Sequence, residues 1–466
     1  MSGVMMPEQV ATLMPKVRGS SAINPTIHNL FATNASAGTQ FRYDGLSQVV
    51  FNLPAFKGSW LNPQRTYLRY NFESDTGCFP VDVVTPFERS QLRIGNQVVS
   101  DVLDVHVLQK IQSNMERVST KLANANKTGD MRLQSKDATA DVAGMNNSPA
   151  CLKEIYNNGG TTIEHQLIDP VLGRSWDGQD KYIPLGFFSG SGNSSAELTM
   201  WLSPPEEFLV REDAGAFGYT LTNIELICEV VQMPDAVNDK LSAHLNTSGS
   251  VKIPLSIYRL HNTHIPQNTQ NAELSVMEHA HDLENIISVI RPQNRPAITN
   301  YNGGTNWNSN MVFFGGHGDR TVPEGDANFN TTGAVKSIQW RYDTKLYPQK
   351  RLEAGAKDSK ALMLHTLNTL DKWDEDSFLG AMFRNGTQWD YGGVFCLVNS
   401  FKTSRDDLLN GLNSSATSGA LELSLILKKP AQVPLLVQHF TKANYTLELK
   451  KGGFATIYNG AGKEGV

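Results

Sequence analysis

In Leu421-Glu422-Leu423-Ser424-Leu425 apolar and polar residues alternate strictly, so an extended chain there has one greasy side and one wet side. That pattern predicts a half-buried strand. A period of two also runs through residues 196–202 and 219–231, where Leu221 and Ile224 fall out of step and predict a bulge or a change of face near Asn223. Short apolar runs at Val49-Val50-Phe51 and Tyr67-Leu68-Arg69-Tyr70, separated by Pro54, Gly58 and Pro63, read as strands too. Residues 182–188 add another. In residues 91–99 Leu92 and Ile94 share a face and Gly95-Asn96 turns the chain, which predicts a hairpin. The second half repeats this grammar at residues 251–260, 283–290, 334–342, 394–398, 421–427 and 445–449, with no word-for-word repeat.

The period changes between Asp101 and Leu122. Val102, Val105, Leu108, Ile111, Met115 and Val118 fall at steps of three or four, on one side of a helix. Its apolar stripe is needed to close the edge of a sandwich, so domain packing is expected rather than a membrane surface. A shorter helix over residues 235–245, stopped by Ser248-Gly249-Ser250, follows a boundary near Met233-Pro234. Residues 123–158, 294–310 and 315–332 are polar, small or glycine-rich and read as long surface loops. The 466 residues suit two domains of roughly 200 residues each. We divide the chain into an arm at 1–24, a first β domain at 25–235 and a second at 236–466.

Charge and cysteine content narrow the function. Lys and Arg number 41 against 46 Asp and Glu, a formal charge of −5, which gives no general reason to bind nucleic acid. No specific nucleic-acid binding is expected. The 37 asparagines favour turns that hydrogen-bond their own backbone. Cys78, Cys151, Cys228 and Cys396 are far apart and form no CxxC pair, so reduced, mostly buried thiols in a reducing cell interior are expected. The start, Met1-Ser2-Gly3-Val4-Met5-Met6-Pro7-Glu8, lacks the pattern of a signal peptide, and no stretch reaches the 18 or so apolar residues of a membrane span.

Candidate chemistry is sparse. His279 and His281, flanked by Glu278 and Asp282, form the densest metal-like cluster, with both imidazoles on one face if the segment is a strand, but a third ligand at recognisable spacing is missing. His261 and His264 flank a loop at Pro266 and fare no better. Gly315-Gly316-His317-Gly318-Asp319 lacks the lysine and serine of a phosphate loop. Glu206-Glu207 and Asp374-Glu375-Asp376 would need a cleft and split pKa values for acid/base work, and are expected to keep loops hydrated. No G-x-S-x-G elbow occurs. Among Trp176, Phe187, Phe188, Trp201, Trp307, Phe313, Phe314, Trp373 and Trp389, those inside strands read as core, with Trp307 and Trp389 as loop contact candidates. No catalytic, cofactor-binding or metal residue is assigned, and no cofactor is expected. The alternative reading is a carbohydrate-binding or glycan-hydrolysing β-sandwich protein, with loop aromatics stacked on sugar faces and an acidic pair cutting the glycosidic bond.

Several segments together resemble the double jelly-roll major capsid proteins of tailless icosahedral DNA viruses, virophage-like and Polinton-like forms above all. They are Trp60-Leu61-Asn62-Pro63 before Tyr67-Leu68-Arg69-Tyr70, Phe87-Glu88-Arg89-Ser90-Gln91-Leu92-Arg93-Ile94 leading to the helix, and Ile183-Pro184-Leu185-Gly186-Phe187-Phe188 followed by residues 198–202. In the second half, Trp340-Arg341-Tyr342-Asp343-Thr344-Lys345-Leu346-Tyr347-Pro348-Gln349-Lys350 resembles a tyrosine-proline element of that family. Order, spacing and length over residues 45–460 carry the resemblance.

It implies an all-β fold of two tandem eight-stranded jelly rolls with short helices and long loops. It also implies a non-enzymatic virion protein, made and assembled in the host cell interior, whose homotrimers form pseudo-hexameric capsomers that tile an icosahedral shell. Neighbouring capsomers, penton proteins and minor capsid proteins are the implied partners, with an internal membrane as a contact of the arm. Residues 5–30, with Lys16, Arg18, Pro7, Pro15 and Pro25, suit such an arm, but two basic residues are too few for genome or membrane binding on their own.

Overall fold

The computed structural model of the chain describes residues 24–36, 38–53, 58–75, 78–80, 86–95, 97–115, 161–166, 182–184, 186, 196–211, 216–293, 335–353, 360–369, 396–402, 411–415, 420–427, 430–431, 434–450 and 454–459. The first half contributes β1 (Asn24–Phe31), β2 (Gln48–Asn52), β3 (Ser59–Ser74), β4 (Cys78–Pro80), β5 (Phe87–Ile94), β6 (Gln97–Leu103), β7 (Thr161–Gln166), β8 (Ala196–Leu202), β9 (Leu209–Arg211) and β10 (Tyr219–Gln232). The second contributes β11 (Ser250–Ile265), β12 (Asn271–Val276), β13 (Leu283–Pro292), β14 (Val335–Tyr342), β15 (Lys345–Glu353), β16 (Cys396–Ser400), β17 (Leu421–Leu427), β18 (Leu435–Lys450) and β19 (Phe454–Asn459).

Two sheets form in each half, and every pairing is antiparallel. The first half holds β1-β10-β3-β7 and β2-β8-β5-β6, with β4-β9 as a separate ribbon, while the second holds β11-β18-β13-β16 and β12-β17-β14-β15. Leaving out the ribbon and β19, which extends the sheet beside β18, the strands of each half sit in the same order: 1-8-3-6 in the larger sheet and 2-7-4-5 in the smaller. That is the jelly-roll order, in which the chain shuttles between two facing sheets. The protein is a double jelly roll.

Alternation drives the packing inside each roll. Leu68, Tyr70 and Phe72 of β3 are fully buried, and Tyr70 meets Phe87 of the facing sheet edge-on at 5.9 Å between ring centres. Phe72 stacks on Tyr219 at 5.7 Å, and Phe208 closes on Tyr219 at 5.0 Å. In the second roll, Trp340 of β14 reaches across to His439 of β18 at 5.6 Å. These contacts fill the space between sheets.

The helices occupy matching positions. α1 (Val105–Met115) follows β6, and after α2 (Asp235–Ser248) links the halves, α3 (Lys360–Thr369) follows β15, so each roll places a helix after its fifth core strand. Val105, Val107, Leu108 and Ile111 bury the inner side of α1, as the stripe predicts. The helix starts later than expected, however: Val102 belongs to β6, where it pairs with Ser90, and Asp104 at φ 50° breaks the strand before the helix begins. α2 runs past residue 245 to Ser248 and ends at the predicted stop, with Gly249 at φ 75° and its N–H bonded to the Leu245 carbonyl at 3.0 Å.

Other expectations divide in the same way. The hairpin of β5 and β6 forms with Gly95 at φ 58°, and the bulge in β10 falls between Thr222 and Glu225 with Asn223 at φ 51°. Both local readings hold. The arm reading of residues 5–30 runs too far, since residues 24–31 are β1, paired along its whole length with β10. Pro25 is tolerated there because β1 is an edge strand. Ile183 forms only a single bridge to Leu61 rather than a strand among the described residues. Residues 1–23 and the long loops at 123–158, 294–310 and 315–332 lie outside the described residues.

Candidate functional site

The outer face of the second roll's larger sheet is covered rather than wet. Register in β18 sets His439 against Trp340 inside the roll, so Gln438 and Phe440 point the other way, along with Ile287, Val289 and Arg291 of β13. Ile287 and Val289 are 0% exposed and Phe440 1%. The first roll covers them, with β6 lying against β11 and β19.

An ionic cluster is built into this seam. The Arg291 guanidinium, 2% exposed, donates through Nη1 to Glu207 Oε2 at 2.9 Å and sits 3.8 Å from Asp104 through Nη2. His106 Nε2 lies 3.0 Å from the same Glu207 oxygen, and the Gln438 amide donates to the Asp104 carboxylate. Asp104 and His106 come from the β6–α1 junction, Glu207 from the short helical turn Pro205–Glu207, and Arg291 and Gln438 from the other roll. Burial pulls the Arg291 guanidinium down to about 9 while Asp104 pushes it back up, which leaves it charged at neutral pH. Charges are costly to bury and survive only when paired in good geometry, so the cluster fixes how the rolls meet more than it stabilises them.

A second polar cluster closes the side of the second roll. Glu278, whose side chain is 1% exposed, accepts from Thr441 Oγ1 at 2.6 Å, with His261 Nε2 at 2.9 Å and Arg259 Nη1 at 3.3 Å. Burial alone would raise its pKa, but hydrogen bonds from His261 and Thr441 with the Arg259 charge hold it below the ordinary value. His439 lies between the hydroxyls of Ser288 and Thr263, each at 2.8 Å, and burial pushes its imidazole down to about 3. It is neutral, sealed from solvent, and part of the core. Asp282 takes the Gly411 N–H at 2.6 Å and the Asn444 amide at 2.7 Å, and burial raises its pKa.

The residues singled out in sequence separate here. Glu278 and Asp282 point inward while His279 and His281 are exposed, so residues 278–282 alternate but do not bring imidazoles and carboxylates together. Among the described residues no group of three metal-ligating side chains forms. Glu207, expected to hydrate a loop, is instead the buried acceptor for Arg291, and nothing in the Glu206-Glu207 pair distinguishes the two in sequence. Trp201 lies under the Arg89 guanidinium at 4.6 Å, and Arg89 is held by both oxygens of Asp101. Trp176, Phe187, Phe188, Trp307, Phe313, Phe314, Trp373, Trp389, residues 315–319 and residues 374–376 lie outside the described residues. A hollow of about 590 Å³ at Thr344, Lys345, Leu346, Tyr347, Pro348 and Gln349 carries one lysine and no carboxylate, which is no lining for glycoside hydrolysis.

Comparison with known proteins divides along the same line between sequence and shape. No family model matches the chain, and no curated protein matches it. Solved structures do match. PBCV-1 VP54, fitted into a reconstruction of the virophage Sputnik, superposes with a TM-score of 0.55 at 11% identity over 94% of this chain and 97% of its own. The mavirus major capsid protein gives 0.50 at 9% identity over 97% and 95%, and the Faustovirus major capsid protein 0.50 at 9% over 93% and 92%. The fold is that of double jelly-roll major capsid proteins. The match spans nearly the whole chain, so both rolls belong to the shared fold.

Proposed function

We propose that the chain is a major capsid protein, a non-enzymatic subunit whose homotrimers form pseudo-hexameric capsomers and tile an icosahedral virus shell. One observation carries this reading. Two rolls of identical strand order are locked into one block across a buried, directional seam. Such a block suits a shell, where each modest contact between symmetric copies is repeated many times.

The division into a first roll at residues 25–235 and a second at 236–466 is supported by the sheets, none of which mixes strands from the two halves. Residues 1–24 serve as an arm toward neighbouring capsomers or an internal membrane. Penton and minor capsid proteins are the other partners, and the virion is the site of action.

Negative-stain microscopy combined with mass measurement in solution tests the proposal. Uniform particles of three times 51.3 kDa, or shells, are expected. Stable monomers that cleave glycans would overturn it.

A further inference from the structure

His279 and His281, the densest metal-like pair in the sequence, have no part in the capsid reading. Between β12 and β13 the backbone that carries them is pinned on both sides. The His279 carbonyl and the His281 N–H both meet the Asn459 side-chain amide, at 2.6 and 2.9 Å. The Ala280 N–H meets Ser414 Oγ at 2.9 Å, and the Ala280 carbonyl takes the Ser414 N–H at 2.8 Å. Backbone groups that point alternately to opposite sides belong to an extended chain, whose successive side chains also face opposite ways. Glu278, Ala280 and Asp282 are accordingly buried, while Met277, His279 and His281 stand together on the solvent side. Residues two apart on an extended chain are roughly 7 Å from each other at Cα, close enough for two imidazoles to lean onto one ion.

The hydrogen bonds also settle which nitrogen of His281 is available. Ser415 has one hydroxyl hydrogen and donates it to Asn413 Oδ1 at 2.8 Å, the same oxygen that accepts the Ser415 N–H at 3.2 Å. Ser415 Oγ must therefore accept from His281 Nδ1, 2.9 Å away. The neutral ring then carries its proton on Nδ1 and keeps the Nε2 lone pair for an outside partner. Metal-binding histidines are held in this way, with the far ring N–H bonded to a neighbouring polar group.

We propose that His279 and His281 chelate a soft monovalent ion, Cu(I), with the Met277 thioether beside them. Among the described residues no carboxylate, thiolate or third imidazole joins the pair, and the adjacent Glu278 and Asp282 point inward. Zinc ordinarily takes three or four such ligands, and calcium and magnesium take oxygens. Neutral imidazoles and a thioether are the soft donors that select Cu(I), whose filled shell is satisfied by two or three of them.

Anaerobic titration of the full chain with Cu(I) against bicinchoninate, after accessible thiols are blocked with iodoacetamide, tests the site. The unchanged chain and H264A, which removes another exposed imidazole, should each take up one equivalent that H279Q and H281Q do not. M277L should keep that stoichiometry at weaker affinity. S415A leaves the backbone contacts of Ser415 in place and should weaken binding about tenfold, because the ring is no longer held. The substituted histidines are exposed, so H279Q and H281Q should melt with the parent. Equal uptake by the parent and both histidine variants overturns the proposal, as does a parent that takes up none. Zn²⁺ held as tightly as Cu(I), or M277L binding as well as the parent, overturns the choice of ion.

Discussion

Replacing Arg291 with methionine isolates what the ionic seam contributes. The change keeps a long unbranched side chain but removes the cation 2.9 Å from Glu207 and 3.8 Å from Asp104. Glu207 is 8% exposed, so water cannot take over the role of the guanidinium. Removing one member of a buried pair typically costs about 3–5 kcal/mol, because the remaining charge keeps its desolvation penalty. Asp104 is more open, with 27% of its side chain exposed, and His106 still lies 3.0 Å from Glu207, so the expected loss falls near the lower end. A loss of about 3 kcal/mol lowers the folded-to-unfolded ratio by about two orders of magnitude.

The companion variant is R291M/E207Q, in which the carboxylate is neutralised along with its partner. It should recover much of the loss, since replacing both members of a buried pair is often close to neutral. Unfolding in guanidinium, followed by tryptophan fluorescence at fixed protein concentration, measures both, because association would otherwise shift the midpoint. R291M should also separate unfolding into two steps as the rolls lose their shared seam. An R291M unfolding free energy within about 0.5 kcal/mol of the parent, or a double variant no more stable than R291M, would refute this account of the seam.

Three further outcomes follow from buried groups. His439 stays neutral in the folded chain down to about 3 but takes a proton near 6.5 when unfolded, so stability falls by up to about 1.4 kcal/mol per unit as pH drops through that window and is unaffected above it; H439N should flatten the fall in urea midpoints between pH 6 and 4, and an unchanged slope would count against it. Tyr219 donates its hydroxyl at the buried carbonyls of Ser203 and Pro86, 2.7 and 3.2 Å away, so Y219F should cost about 1–2 kcal/mol in thermal unfolding. Burial holds the Cys228 thiol at about 12, so peptide mapping after alkylation at pH 8 should find it labelled only in denaturant, and labelling in the folded chain would contradict its burial.

Local signals along the chain were legible where a residue acts on its own neighbourhood. The alternation of β17, the left-handed Asn223 at the bulge and Gly249 at the end of α2 are each set by backbone and side-chain geometry within a few residues. Edge strands were harder. β12 alternates over only six residues, and β15 shows no apolar alternation, with Leu346, Tyr347 and Leu352 scattered among charged residues and no position fully buried. β1 was obscured by Pro25, which an edge strand accepts. The seam was unreadable for a different reason: Arg291 and Glu207 are 84 residues apart in sequence, and each looks like an ordinary surface charge. One trace of it was present. Ile286, Ile287, Val289 and Ile290 form an apolar run broken only by the small Ser288, which marks a strand covered on both faces without naming the cover.

The chemistry of that cover bears on why the two rolls are joined by charge. A purely apolar seam would tolerate sliding, because dispersion and burial change little when one smooth face shifts over another. An arginine held between a carboxylate at 2.9 Å and another at 3.8 Å, with a glutamine bonded to the second, has one good position, since a small shift breaks hydrogen bonds that buried groups cannot replace with water. R291M should therefore loosen the seam while each roll remains folded, read as faster amide hydrogen exchange in β6 and β11 than in the parent.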